Sequence, residues 1–307
     1  MLTKEQIAAW FQGLQDRICS ALEELDAKGK FKEDAWRREG GGGGRSRIIE
    51  GQIIEKGGVN FSAVHGSLPE KIASALGLPA SNFFATGVSI VLHPASPMLP
   101  IIHMNVRYFE TNAAASHPSS LIPHPSFWVG GGIDLTPHYV VDEDARFFHR
   151  QLKAACDRHH PAFYQEFKQW ADDYFYLKHR QETRGVGGIF FDRLDQSRGL
   201  NKEQLFAFVQ DVGEAFAPAY VHLALKNKDL PFGEREKTWQ ALRRGRYVEF
   251  NLLWDKGTKF GLDTEGRTES ILMSMPPLAQ WVYNYQPEPY SEEARTLEQL
   301  KKGIDWV

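Results

Sequence analysis

Apolar residues recur at Ile7, Trp10, Leu14, Ile18, Leu22 and Leu25, a helical spacing. They predict an amphipathic helix over 3–27 with Thr3 as its N-cap. The period then changes. Residues 47–65 alternate and are punctuated by Gly51 and by Gly57 and Gly58, which predicts short strands. One helix is expected over 69–76. The segments 83–93 and 100–110 are the best strand candidates. Residues 126–134 contain Gly130, Gly131 and Gly132 and predict a strand with a close backbone approach. Two helices follow, over 142–157 and 161–180. The second carries Phe163, Phe167, Trp170, Tyr174 and Leu177 at helical spacing, a stripe suited to the core. A strand over 186–191, helices over 201–217 and 233–244, a strand over 246–254 and a helix over 291–302 complete the pattern.

Strands cluster early, helices come in pairs, and strict βαβ alternation is missing. This predicts an α+β fold built on a mostly antiparallel sheet. No repeat or clear linker divides the chain, so residues 1–307 read as a single domain. The five glycines Gly40 to Gly44 read either as a flexible linker or, with Arg45, Ser46 and Arg47 following at once, as a mobile anion-binding loop.

Composition narrows the class. Of 307 residues, 42% are hydrophobic and 24% charged, as in ordinary soluble globular proteins. A net charge of −3 with dispersed Lys and Arg argues against a dedicated nucleic-acid partner. Cys19 and Cys156 are too isolated for a disulfide framework or a cysteine-based zinc site. No apolar run approaches a membrane span, and the N-terminal pattern is helical rather than that of a signal or transit peptide, so a cytoplasmic location is expected. GxGxxG in a βαβ context, GxxxxGK[ST] and GxSxG are all missing, so no nucleotide, flavin or covalent-serine mechanism is signalled.

Candidate chemistry concentrates in three places. Residues 168–192 run from an aromatic helical face into His179, Arg180, Glu182 and Arg184, then Gly185, Gly187 and Gly188, then an apolar strand ending on Asp192. Along 100–110, alternation puts His103, Asn105 and Arg107 on one face and Ile102, Met104, Val106 and Tyr108 on the other. Ser89 and His93 share a face of the preceding strand. A register with His93 opposite His103 would put Ser89 opposite Arg107 and complete a polar wall. Asp134 follows the three glycines, either as a carboxylate open to a bulky ligand or as a turn residue before Thr136 and Pro137. Arg243, Arg244, Arg246 and Arg267 suit an anionic small molecule, although surface solubility is the simpler reading of Arg243 and Arg244.

Several longer segments then carry a resemblance. They are Gly-Gly-Gly-Gly-Arg-Ser-Arg (41–47), Glu-Lys-Gly-Gly-Val-Asn-Phe-Ser (55–62), His-Met-Asn-Val-Arg-Tyr-Phe-Glu (103–110), Gly-Gly-Gly-Ile-Asp-Leu-Thr-Pro (130–137), residues 179–192, residues 243–252 and residues 266–277. In this order, over nearly the whole chain, they resemble the oxygen-dependent coproporphyrinogen III oxidases. Ala171 stands where that family carries a cysteine, which argues against an essential thiol, and Glu265 where it carries a glycine.

The resemblance implies a large antiparallel sheet flanked by helices, assembled as a homodimer. It implies oxidative decarboxylation of two propionates of coproporphyrinogen III to vinyl groups, giving protoporphyrinogen IX. Molecular oxygen would be the co-substrate, with no organic cofactor. By position, Asp134 resembles the aspartate that holds pyrrole N–H groups and helps deprotonate one, His103 a proton donor and Arg107 a propionate-binding arginine. Ser89, Asn105, Val106, Glu265, Gly266 and Arg267 resemble further substrate contacts. His93, His103, His149 and His179 resemble ligands of a divalent metal, a role that competes with proton donation by His103. The rival classes are a tetrapyrrole- or anion-binding module without turnover and a histidine-ligated metal hydrolase.

Overall fold

The computed structural model describes residues 2–70, 73–74, 78, 81–111, 127–263 and 267–307. Helix α1 (Lys4–Asp26) starts as expected. The Thr3 hydroxyl accepts from Gln6 N while the Gln6 side chain accepts from Thr3 N, a reciprocal capping box. Six strands follow: β1 (Lys32–Arg37), β2 (Gly42–Ile49), β3 (Ile54–Ser67), β4 (Asn82–Pro94), β5 (Ile101–Thr111) and β6 (Phe127–Thr136). Next come α2 (Asp142–Asp157), α3 (Phe163–Tyr174), a small hairpin of β7 (Tyr176–Leu177) and β8 (Glu182–Thr183), and β9 (Gly187–Leu194). The remainder is α4 (Lys202–Asn227), α5 (Glu234–Leu253), α6 (Lys256–Asp263), α7 (Thr268–Leu272) and α8 (Glu292–Gln299).

Among the described residues seven strands form one sheet in the order β1-β2-β3-β4-β5-β6-β9, with every neighbouring pair antiparallel. The α+β expectation holds. One face of the sheet is apolar: Val59, Ile90, Met104, Val106, Ile133 and Ile189 are all buried, packed with Phe11, Leu14, Phe148, Phe167, Phe208 and Val212 from α1 to α4. The other face carries the polar alternates.

Several boundaries differ from the sequence reading. Half of the helix expected over 69–76 lies outside the described residues. The glycine run is not a linker: Gly40 and Gly41 make the tight β1–β2 turn, while Gly43 and Gly44 pair with Ala63 and Ser62 inside the sheet, beside β1. Gly42 enters it at φ +83°, where a Cβ would lie 2.2 Å from Ala63 O, so only glycine fits. The helix expected over 161–180 stops at Tyr174, and the β7–β8 hairpin takes its last turn.

The strand expected over 246–254 is the end of α5. Its buried face is Trp239, Arg243, Tyr247, Phe250 and Asn251, a helical spacing hidden by an arginine in the stripe. Arg243 and Arg244 are correspondingly buried, not surface solubilisers. Arg243 donates to Glu182 at 2.8 Å and Arg244 to Glu55 at 2.6 Å. Finally, Ser89 lies opposite Asn105 and Val91 opposite His103. The expected register is two residues off. A shift of two leaves every side chain on its own face, so the polar wall survives with different neighbours.

Candidate active site

The polar face is built row by row from the register. His103, Asn105 and Arg107 on β5 lie opposite Asp134, Gly132 and Gly130 on β6. On the far side of β5, Ser89 and Gly87 lie opposite Asn105 and Arg107. On the far side of β6, Gly188 and Phe190 lie opposite Asp134 and Gly132. Glycines thus alternate with the charged and amide side chains and keep the floor low. A Cβ on Gly130 would come within 2.8 Å of Asp192 Oδ1 and 2.9 Å of Arg107 Nε.

Asp134 is the buried end of this floor, 1% exposed. It is a mid-strand residue, so the turn reading is excluded. Its Oδ1 accepts from His103 Nδ1 at 2.8 Å, and both oxygens accept from Arg184 Nη2, at 2.8 and 2.7 Å. Burial acts to raise the Asp134 pKa, but the Arg184 charge and the His103 and Arg184 hydrogen bonds outweigh it. The carboxyl is held below its usual range and stays ionised.

Arg184 is itself buried. Its Nη1 donates to Asn251 Oδ1 at 2.8 Å, and its guanidinium lies 4.4, 4.6 and 4.7 Å from the ring centres of Phe175, Phe250 and Tyr247. The negative faces of aromatic rings stabilise a buried cation. His103 donates through Nδ1, so its Nε2 takes no part in the Asp134 contact, and the side chain is 21% exposed.

Arg107 lies four residues beyond His103 on the same face of β5 and is 38% exposed. Nη1 donates to Asn105 Oδ1 and Nη2 to Asp192 Oδ1, each at 2.7 Å. The fork is aimed but half open, which suits a bidentate anion contact. Ser89 and Asn105 are half-buried on the same face. Val106 is not: its side chain is fully buried in the core. Arg267 lies toward the β1 side of the sheet, paired with Asp34 and 3.5 Å from Ser46 Oγ. Glu265 and Gly266 lie outside the described residues.

The four histidines do not converge on one ion. His93 is buried and donates through Nε2 to Ser274 O at 2.8 Å. His149 is buried with both nitrogens used, Nε2 donating to Val186 O at 2.9 Å and Nδ1 accepting from Tyr164 at 3.0 Å. His179 sits in the β7–β8 turn between Glu249 and Trp254, at 2.7 and 3.0 Å. Only His103 touches Asp134. Among the described residues no group of three or more His, Cys, Asp or Glu could hold a metal ion. The residues present do not fit a four-imidazole site.

Sequence reasoning singled out the charge cluster containing Arg184 but did not assign that arginine to the site. Asn251 was hidden inside the misread strand, and Asp192 was noted only as the end of one. The signal available for Arg184 was its place between charged residues and three glycines.

A family model of coproporphyrinogen III oxidase matches residues 6–306. The chain is 48% identical to an oxygen-dependent coproporphyrinogen-III oxidase of Synechococcus sp. (strain CC9605), over 99% of this chain and 88% of the relative. It is 49% identical to a chloroplastic oxygen-dependent coproporphyrinogen-III oxidase of Glycine max, over 95% and 77%. With a chloroplastic coproporphyrinogen-III oxidase of Arabidopsis thaliana it shares 48% over 95% and 76%. Matches of this extent and identity leave one assignment: the chain belongs to the coproporphyrinogen III oxidase family.

Proposed function

We propose that this protein catalyses the oxygen-dependent decarboxylation of two propionates of coproporphyrinogen III to vinyl groups, yielding protoporphyrinogen IX for haem biosynthesis. The observation that carries the reading is the ionised, buried Asp134, held between His103 and Arg184 on a glycine floor that also bears the half-open Arg107. A binding module without turnover has no need for a buried carboxylate coupled to an imidazole beside an anion-binding fork.

The reaction balances per propionate. The side chain CH2CH2COO⁻ loses carbon dioxide and a hydride equivalent to become CH=CH2. Dioxygen takes that hydride equivalent together with one proton and leaves as hydrogen peroxide. Asp134 orients the pyrrole N–H groups and stabilises the positive charge that develops as the electron-rich ring is oxidised. With a depressed pKa it is better suited to that than to strong base catalysis. His103 exchanges the proton at Nε2, and Arg107 holds a propionate. No organic cofactor is needed, and no step requires a metal on the four histidines.

The assembly is a homodimer. In its support, the segment after α7 exposes Leu278, Trp281, Val282 and Tyr283, an apolar run that a second copy would cover. No helix among the described residues is long and apolar enough to cross a membrane. A cytoplasmic location belongs to the same proposal, and cell fractionation tests it.

The test is to incubate purified protein, without added cofactor, with coproporphyrinogen III in air and under strict anaerobiosis. Conversion to protoporphyrinogen IX only in air is expected. Equal conversion without oxygen, or none in air, overturns the reading.

A further inference from the structure

Arg184 reaches Asp134 from a weak piece of structure. The β7–β8 hairpin has two residues in each strand and is not part of the main sheet. Isolated two-stranded hairpins are marginal on their own. Its turn, residues 178–181, includes Gln181 at φ +57°, a strained position for a residue other than glycine. Inside the turn, Arg180 N and Gln181 N both donate to Leu177 O, at 3.1 and 2.9 Å, but these bonds close the turn on itself; Arg184 N to Phe175 O at 2.8 Å and Thr183 N to Leu300 O at 2.9 Å tie down only the segment beyond it.

Glu249 on α5 grips that turn. Its carboxylate accepts five hydrogen bonds: from His179 Nε2 at 2.7 Å, Arg180 Nε and Nη2 at 2.9 and 2.7 Å, Arg246 Nη1 at 3.1 Å and Trp281 Nε1 at 2.9 Å. The Arg180 contact is bidentate, the strongest geometry available to a carboxylate. His179 is fixed as an Nε2–H donor because its Nδ1 accepts from Trp254 Nε1 at 3.0 Å. Six residues back along α5, Arg243 holds Glu182 of β8 at 2.8 Å. The same helix supplies Tyr247, Phe250 and Asn251, the groups against the Arg184 guanidinium. One face of α5 therefore both carries the arginine's pocket and clamps the segment that delivers the arginine.

We propose that Glu249 is a positioning residue for the reaction: it staples the 178–181 turn to α5 and thereby fixes Arg184 against Asp134. This rests on the reading of Asp134, His103 and Arg184 as the reacting centre. The glutamate touches none of those three side chains in the hydrogen bonds it makes, so its effect passes through the hairpin. A carboxylate that only adds surface stability would change melting temperature and leave turnover per folded molecule alone.

The experiment compares steady-state kinetics of Glu249→Gln in the wild-type and Arg184→Lys backgrounds. In the wild-type background kcat is expected to fall about tenfold or more, with KM within about twofold, because small misplacements of a catalytic group act on turnover. In the Arg184→Lys background the same change is expected to cost less than about twofold, since coupled residues are non-additive. Equal losses in the two backgrounds, or an unchanged kcat in the first, overturn the proposal. If Glu249→Gln does not fold, Arg180→Gln, at a 38% exposed side chain, removes the bidentate arm and is judged by the same criteria. A wild-type protein inactive in air would instead sink the reading of the reaction, before any variant is compared.

Discussion

The two faces of β5 and β6 follow opposite rules. Toward α1 and α4, Ile102, Met104, Val106, Tyr108, Val129 and Ile133 are each 0–1% exposed and fill space. On the other side Gly130 and Gly132 leave space, and His103, Asn105, Arg107 and Asp134 occupy only chosen points around it. The first face is fixed by volume and tolerates no gap. The second is fixed by charge pairs and hydrogen bonds, and its open volume is the working part. Asp134 is where the rules meet: it belongs to the polar face yet is as buried as the core. Its burial is tolerated because Arg184 and His103 compensate it.

That coincidence sets the largest expected effect. Asp134→Asn removes the charge from both roles at once. Turnover should fall by roughly a hundredfold or more, the scale of a lost acid–base or electrostatic group. Stability should fall as well, by about 3–5 kcal/mol, because Arg184 is left as an uncompensated buried cation. Steady-state rates normalised to folded protein, with denaturant unfolding alongside, check both. A variant that keeps its turnover would return the polar face to mere solvation. A core-face change should split the other way. Met104→Ala deletes a fully buried side chain and should cost about 2–5 kcal/mol of stability, with kcat per folded molecule unchanged.

The two faces were not equally legible in the sequence. Period-2 alternation put residues 102–108 of β5 on their correct sides, since that inference needs no partner strand. The partner register did need one, and it came out two residues off, with Ser89 meeting Asn105 rather than Arg107. The centre itself joins β5, β6, the segment after β8 and α5, and no local pattern reports a contact such as Arg184 to Asn251. The end of α5 also misled for a physical reason. Its buried stripe includes Arg243, which is sheltered by Glu182, and a charged residue in a core stripe breaks the helical signal. Substrate contacts implied by resemblance fared by face: Ser89, Asn105 and Arg107 are on the floor, whereas the Val106 side chain points into the core.

A milder change sharpens the comparison within the polar face. Arg107→Lys keeps the charge but loses the fork that now spans Asn105 and Asp192. The expected result is a rise in KM of about tenfold, the size of one lost charge-assisted hydrogen bond, with little change in stability. Titration of substrate against wild type and variant checks it. An unchanged KM would mean the propionate docks elsewhere on the floor.

The smallest expected effect concerns a histidine on the helical side, His149. Burial pushes its pKa down to about 4, with Lys168 adding to the effect, although the bond to Val186 O opposes it. In the unfolded chain it would titrate near its ordinary value of 6.5. Above that value both states are neutral and the group contributes no pH dependence. Between 6.5 and about 4 the unfolded chain binds a proton that the folded protein refuses, so stability falls as pH falls. Below about 4 both states are protonated and the slope vanishes. The limiting slope from one such group is about 1.4 kcal/mol per pH unit. His149→Gln cannot titrate. It should be less stable than wild type at pH 7, because the hydrogen bonds to Val186 and Tyr164 are lost or weakened. The gap should then narrow as the pH is lowered toward 5. His93, pushed by burial to about 3, gives a slope of the same sign in both proteins and cancels in the difference. Urea unfolding of the pair at several pH values measures that gap. If the gap stays constant, His149 is not the buried neutral imidazole that its two hydrogen bonds describe.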